Sequence, residues 1–203
     1  MLKPVCNTIE SDRFFQETSV HYQDILNTYK ELKGSLSAIY NPWTFVPLYD
    51  IEARFKQQIH LFEAINDNLY ESEQYTILTI GISSLAKEDG INPHFDDHPT
   101  DGSFKRLHLA LQLTPSSRLL VLENEGYKSY EWELGRWADF QFFFLNGIKH
   151  THYPINLDDE DRIVLLVDVF IGKPTGEDLS DYYKTITGLG WLDLNKVISL
   201  KPL

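Results

Sequence analysis

Apolar positions in the first third of the chain recur at helical spacing. In "SVHYQDILNTYKELKGSL" the residues Val20, Tyr22, Ile25, Leu26, Tyr29 and Leu32 share one face of a 3.6-residue period, and Gly34 offers a stop. "IEARFKQQIHLFEAINDNLYES" repeats the pattern with Ile51, Phe55, Ile59, Leu61, Phe62, Ile65 and Leu69. Two helices are therefore predicted, separated by the aromatic, Pro-containing "YNPWTFVPLYD". From about Tyr75 the period changes to short apolar or alternating runs cut by Gly, Pro, Asn and Asp: "YTILTIGISSL", "FKRLHLALQL", "RLLVLENE", "SYEWEL", "ADFQFFFLNG" and "RIVLLVDVF". Strands at this spacing predict a sandwich or barrel. The tail, "GEDLSDYYKTITGLGWLDLNKVISLKPL", returns to helix and irregular structure.

The alternation within "FKRLHLALQL" separates two faces. Lys105, Leu107, Leu109, Leu111 and Leu113 point one way, and Phe104, Arg106, His108, Ala110 and Gln112 the other. The leucine face packs. The polar face is wet on an ordinary half-exposed strand; if the sheet curls round a cavity, the same alternation aims a guanidinium and an imidazole into it, a receptor for a carboxylate.

Composition narrows the class. The 203 residues suit one domain, 1–203, with a helical part over 1–73, a strand-rich core over 74–172 and a tail or lid over 173–203. A net charge of -12 without any Lys/Arg run argues against nucleic acid as a partner. The single cysteine, Cys6, can supply neither an intramolecular disulfide nor a cysteine-based zinc site, which fits a reducing compartment. The first residues lack a signal-peptide apolar core, and no stretch approaches the ~20 apolar residues of a membrane span. A soluble, cytoplasmic protein with no membrane partner is expected.

The chemistry concentrates in "NPHFDDHPT". Asp-rich, Pro-punctuated stretches are ordinarily solvated turns, but His94 and Asp96 form an H-x-D pair able to reach one metal ion, and "GIKHTHYPIN" offers His150 or His152 as a third ligand. Two histidines and a carboxylate make the facial triad that holds ferrous iron and leaves neighbouring positions open. Arg162 then opens the apolar run "RIVLLVDVF", where a charge calls for an anionic partner. Asp97 and His98 read as loop residues, and His21 and His60 as surface or satisfied core histidines. Trp43 reads as core or pocket wall, and Trp132 and Trp137 as packing in the sheet.

The order of H-x-D, an R-x-H strand, an aromatic run, a late histidine and an arginine opening the last strand resembles the aspartyl/asparaginyl β-hydroxylase family. That family includes small bacterial proline hydroxylases and belongs to the iron(II)- and 2-oxoglutarate-dependent oxygenases. The resemblance is carried by "ISSLAKEDGINPHFD", "FKRLHLALQL", "ELGRWADFQFFFLNGIKHTHYPIN" and "DRIVLLVDVF", and spans about Tyr75 to Phe170. It implies a mainly β fold with flanking helices, a double-stranded β-helix or jelly-roll. It implies Fe(II) held by His94, Asp96 and His150, with 2-oxoglutarate and O2 as co-substrates. Arg162 matches the arginine for the distal carboxylate, Arg106 and His108 the strand lining that site, and Ser83, more loosely, a co-substrate serine. His150 is preferred to His152 because it follows "FLNGIK". Two departures stand: extra residues separate His94 from Arg106, and the segment from His150 to Arg162 is longer than the family's. Asp96 is present as in the proline hydroxylases. The implied reaction hydroxylates an amino acid, free, peptidyl or carrier-bound, releasing succinate and carbon dioxide. A cupin-type metalloenzyme without 2-oxoglutarate and a non-catalytic jelly-roll binding module are the alternatives.

Overall fold

A computed structural model of the chain describes residues 13–35, 43–50, 74–94, 103–123, 126–139 and 151–188. Two helices, α1 (Arg13–Val20) and α2 (Tyr22–Ser35), precede nine strands. These are β1 (Trp43–Asp50), β2 (Tyr75–Leu85), β3 (Asp89–Gly90), β4 (Phe104–Gln112), β5 (Arg118–Glu123), β6 (Gly126–Tyr130), β7 (Trp137–Asp139), β8 (His152–Asn156) and β9 (Arg162–Ile171). A helix α3 (Gly176–Gly188) follows. The strands form two antiparallel sheets, one in the order β1-β2-β9-β4-β7 and one in the order β3-β8-β5-β6. From β2 onward the chain passes repeatedly from one sheet to the other, which is the eight-stranded jelly-roll connectivity. β1 adds an edge to the larger sheet.

Each sheet face follows from residue alternation. Ile80, Ile82, Leu107, Leu109, Leu111, Leu165 and Val167 turn outward and pack under Phe14, Phe15, Ile25, Leu26 and Tyr29 of the helices. The opposite face meets the smaller sheet, where Ala110 and Ala138 pack with Leu119, Val121 and Trp132. β9, covered on both sides, is consequently an almost unbroken apolar run. A register shift between Ile77 and Thr79 inserts Leu78, which packs with Phe104, Tyr182 and Tyr183 where α3 docks.

Three expectations change. "WTFVPLYD", read as a linker in a helical region, is the edge strand β1: proline is tolerated on an edge, and the register against β2 shifts beside Pro47. "SYEWEL" is strand only as far as Tyr130, so Trp132 sits in the loop before β7. "HYPIN" is a strand, β8. The predicted second helix, His60 and most of "ADFQFFFLNG" lie outside the described residues, as does the side chain of Trp43. No helix among the described residues is long and apolar enough to cross a membrane.

Candidate metal and anion site

β8 and the residues after β3 bring two histidines together. His94 and His152 form an isolated antiparallel bridge in which each amide donates to the other's carbonyl, at 2.9 and 2.7 Å. Directly opposed residues project to the same face, and the imidazole centroids lie 4.6 Å apart with planes inclined by 53°. His152 is 3% exposed and His94 half-buried. His94 Nδ1 donates to the Asn92 carbonyl at 2.7 Å, which fixes the tautomer and leaves the lone pair on Nε2, the atom that would ligate a metal.

The spacing suits one ion. Two imidazole nitrogens about 2.1 Å from a metal and roughly at right angles put their ring centres about 4.5 Å apart. Among the described residues no group of three His, Cys, Asp or Glu side chains is arranged to hold a metal. Asp96 and His150, expected as ligands, lie outside the described residues, as do Asp97 and His98. His152, the less favoured histidine of "HTH", carries the observed contact with His94. Alternation along "HYPIN" places His152, Pro154 and Asn156 on the buried face, and that pattern was the available signal.

The R-x-H strand turns its polar face inward: Arg106 and His108 are both buried, and so is Ser83. Arg106, however, is already engaged. Its Nε and Nη2 donate to Asp168 Oδ1 and Oδ2, each at 2.8 Å, across the directly opposed pair Arg106 and Asp168 of β4 and β9. Tyr182 of α3 donates to Asp168 Oδ2 at 2.8 Å and lies 2.7 Å from Thr79 Oγ1. Burial first, and then the charge of Asp168, raise the Tyr182 hydroxyl well above its ordinary range, so it stays a donor. Sequence reading passed over this network, although a lone carboxylate within "RIVLLVDVF" demanded a buried cation.

Arg162 is different. It is 3% exposed, pairs across the sheet with Leu85, and lies with Cζ 4.4 Å from the centre of the Trp132 ring. Its Nε and Nη1, and the indole Nε1 of Trp132, are buried with no hydrogen-bond partner among the described residues. Burial alone pulls the guanidinium down to about 10, so it remains charged at neutral pH. Trp132 shares a buried cluster with Val121, the residue opposite His152 in the smaller sheet. Trp137, by contrast, packs among the helices and donates to the Phe15 carbonyl at 3.0 Å. His21 is exposed beside Asp24.

Three solved structures are similar to the chain. An oxidoreductase of the 2OG-Fe(II) oxygenase family from Burkholderia pseudomallei is 12% identical, with 83% of this chain and 94% of that chain covered and a TM-score of 0.46. A Pseudomonas putida prolyl-4-hydroxylase is 12% identical, with coverages of 81% and 91% and a TM-score of 0.47. The non-heme monooxygenase ThoJ, in its apo form, is 10% identical, with coverages of 84% and 88% and a TM-score of 0.48. No curated protein matches the sequence. The family model for aspartyl/asparaginyl beta-hydroxylase matches residues 7–171. With that match running from before α1 to the end of β9, the chain belongs to the aspartyl/asparaginyl beta-hydroxylase family.

Proposed function

We propose that the protein is an iron(II)- and 2-oxoglutarate-dependent hydroxylase acting on an amino acid, free or within a peptide or carrier. Family membership supports the oxygenase class. The observation that carries the co-substrate is Arg162, a buried guanidinium without an acidic partner among the described residues. A buried charge is costly unless paired, and the distal carboxylate of 2-oxoglutarate is the anion that completes it. A cupin-type enzyme that does not use 2-oxoglutarate has no task for this residue.

His94 and His152 would hold the metal, with Asp96 as the carboxylate of the H-x-D pair. The facing rings, inclined by 53°, support His152 over His150, and the Asn92 carbonyl orients the first ligand. When bound, iron(II) and 2-oxoglutarate supply the oxidising chemistry that converts the co-substrate and O2 to succinate and carbon dioxide and delivers one oxygen atom to the substrate. The chain's part is to hold and orient. Arg162 fixes the far end of the co-substrate, Ser83 and His108 line the same sheet face, and Ala110, Leu119 and Val121 exclude water between the sheets.

Iron quantified in purified His94→Ala, His152→Ala and His150→Ala proteins tests the ligand set. Loss in the first two with retention in the third is expected; loss in His150→Ala with retention in His152→Ala would return the role to His150. Succinate release and a one-oxygen mass gain, screened over amino acids and peptides, test the reaction and name the substrate. Iron-free protein without 2-oxoglutarate turnover would favour a binding module.

A further inference from the structure

We infer that Trp132 is a second anchor of the bound dicarboxylate: its indole N–H donates to the carboxylate that Arg162 holds, while its ring fixes the plane of the guanidinium. This rests on the reading of Arg162 given above and adds a residue to it.

The argument begins with two buried tryptophans that meet different fates. Trp137 satisfies its N–H on a backbone carbonyl 3.0 Å away. Trp132 is 7% exposed and has no partner for its N–H among the described residues. A buried donor left unmade is rare and costly. Its position is not loose: the Glu131–Arg136 loop closes through Arg136 N to the Glu133 carbonyl at 3.1 Å and Gly135 N to the Ala110 carbonyl at 2.9 Å. Gly135 has φ +70°, and a Cβ there would lie 3.1 Å from the Tyr22 ring, so glycine lets this loop close against α2.

Three donors thus gather in one buried place: Nε and Nη1 of Arg162 and Nε1 of Trp132. With Cζ 4.4 Å from the ring centre, the indole nitrogen lies within about 7 Å of Cζ; a carboxylate accepting bonds of about 2.9 Å on two oxygens bridges donors up to about 8 Å apart. The ring over the guanidinium restricts where its donors can point, and a carboxylate of two oxygens can take one of them together with the indole N–H. Simple core packing explains the ring of Trp132 but not its unused N–H, which phenylalanine would lack without loss.

The test is calorimetric titration of 2-oxoglutarate into the anaerobic iron(II) protein. Trp132→Phe keeps an aromatic ring and removes the donor; about tenfold weaker binding of 2-oxoglutarate is expected, a typical effect of losing one charge-assisted bond. Binding of 2-oxobutanoate, which lacks the far carboxylate, should be unchanged. Equal 2-oxoglutarate affinity in Trp132→Phe and wild type would overturn the anchor. A second measurement needs neither metal nor an altered chain: glutarate is titrated into 15N-labelled, metal-free wild-type protein. Movement of both the Trp132 indole and Arg162 Nε resonances is expected. Movement of Arg162 alone overturns the anchor and leaves the Arg162 reading standing; movement of neither removes both.

Discussion

Arg106 and Arg162 are equally buried, at 3% exposure each, and lie on the inner face of the same sheet. Their surroundings are opposite. Arg106 closes a two-pronged ion pair with Asp168, which Tyr182 completes from α3. Arg162 has an aromatic ring over it and no carboxylate beside it among the described residues. A fold that can satisfy one buried guanidinium so fully has no physical reason to leave another unmet, unless a ligand completes it. On this account the first arginine serves the scaffold and the second the site.

Stability measurements sharpen that contrast. Arg106→Ala strands the buried Asp168 charge and should destabilise the protein by about 3–5 kcal/mol, read from urea unfolding. Adding Asp168→Leu to an Arg106→Met protein should recover much of the loss, since removing both charges leaves neither uncompensated. Arg162→Leu should do the reverse, leaving stability equal or improved by about 1 kcal/mol while 2-oxoglutarate affinity falls about a hundredfold or more. A loss of stability comparable to that of Arg106→Ala would mean that Arg162 is structural after all.

Smaller effects test the edges of the comparison. Tyr182→Phe removes one donor from Asp168 and should cost about 1–3 kcal/mol, with α3 the first element to lose amide protection. Lys105→Ala breaks the part-exposed pair with Asp139, at 2.8 Å, on the other face of the same strand. Because Asp139 is itself buried while Lys105 is partly exposed, that change should cost about 1–3 kcal/mol, less than Arg106→Ala, and leave co-substrate binding untouched. Thermal melts of the variants, run side by side, give the order.

The sequence was most legible where one force acts alone. β9 reads as a strand because both its faces are buried, and β4 because its leucines alternate. β1 was hidden by Pro47, whose usual meaning fails on a sheet edge. Arg162 stood out as a charge at the head of an apolar run. The partner of Arg106 did not, because Asp168 lies 62 residues away and only the register of β4 against β9 brings them face to face. The bridge between His94 and His152 was illegible for the same reason: it is a property of strand pairing, while the preference for His150 rested on the segment preceding it. Trp132, expected to pack in the sheet, does touch the core cluster, but its relation to Arg162 depends on where β6 ends.

The most direct test of the account is the stability gained from 2-oxoglutarate by wild type and by Arg162→Leu, each held anaerobic with iron(II). With ligand at about a hundred times its dissociation constant, wild type should gain about 2.7 kcal/mol, and Arg162→Leu at the same concentration should gain almost nothing. An equal gain in the two proteins would contradict the claim that the unpaired guanidinium is the seat of the co-substrate.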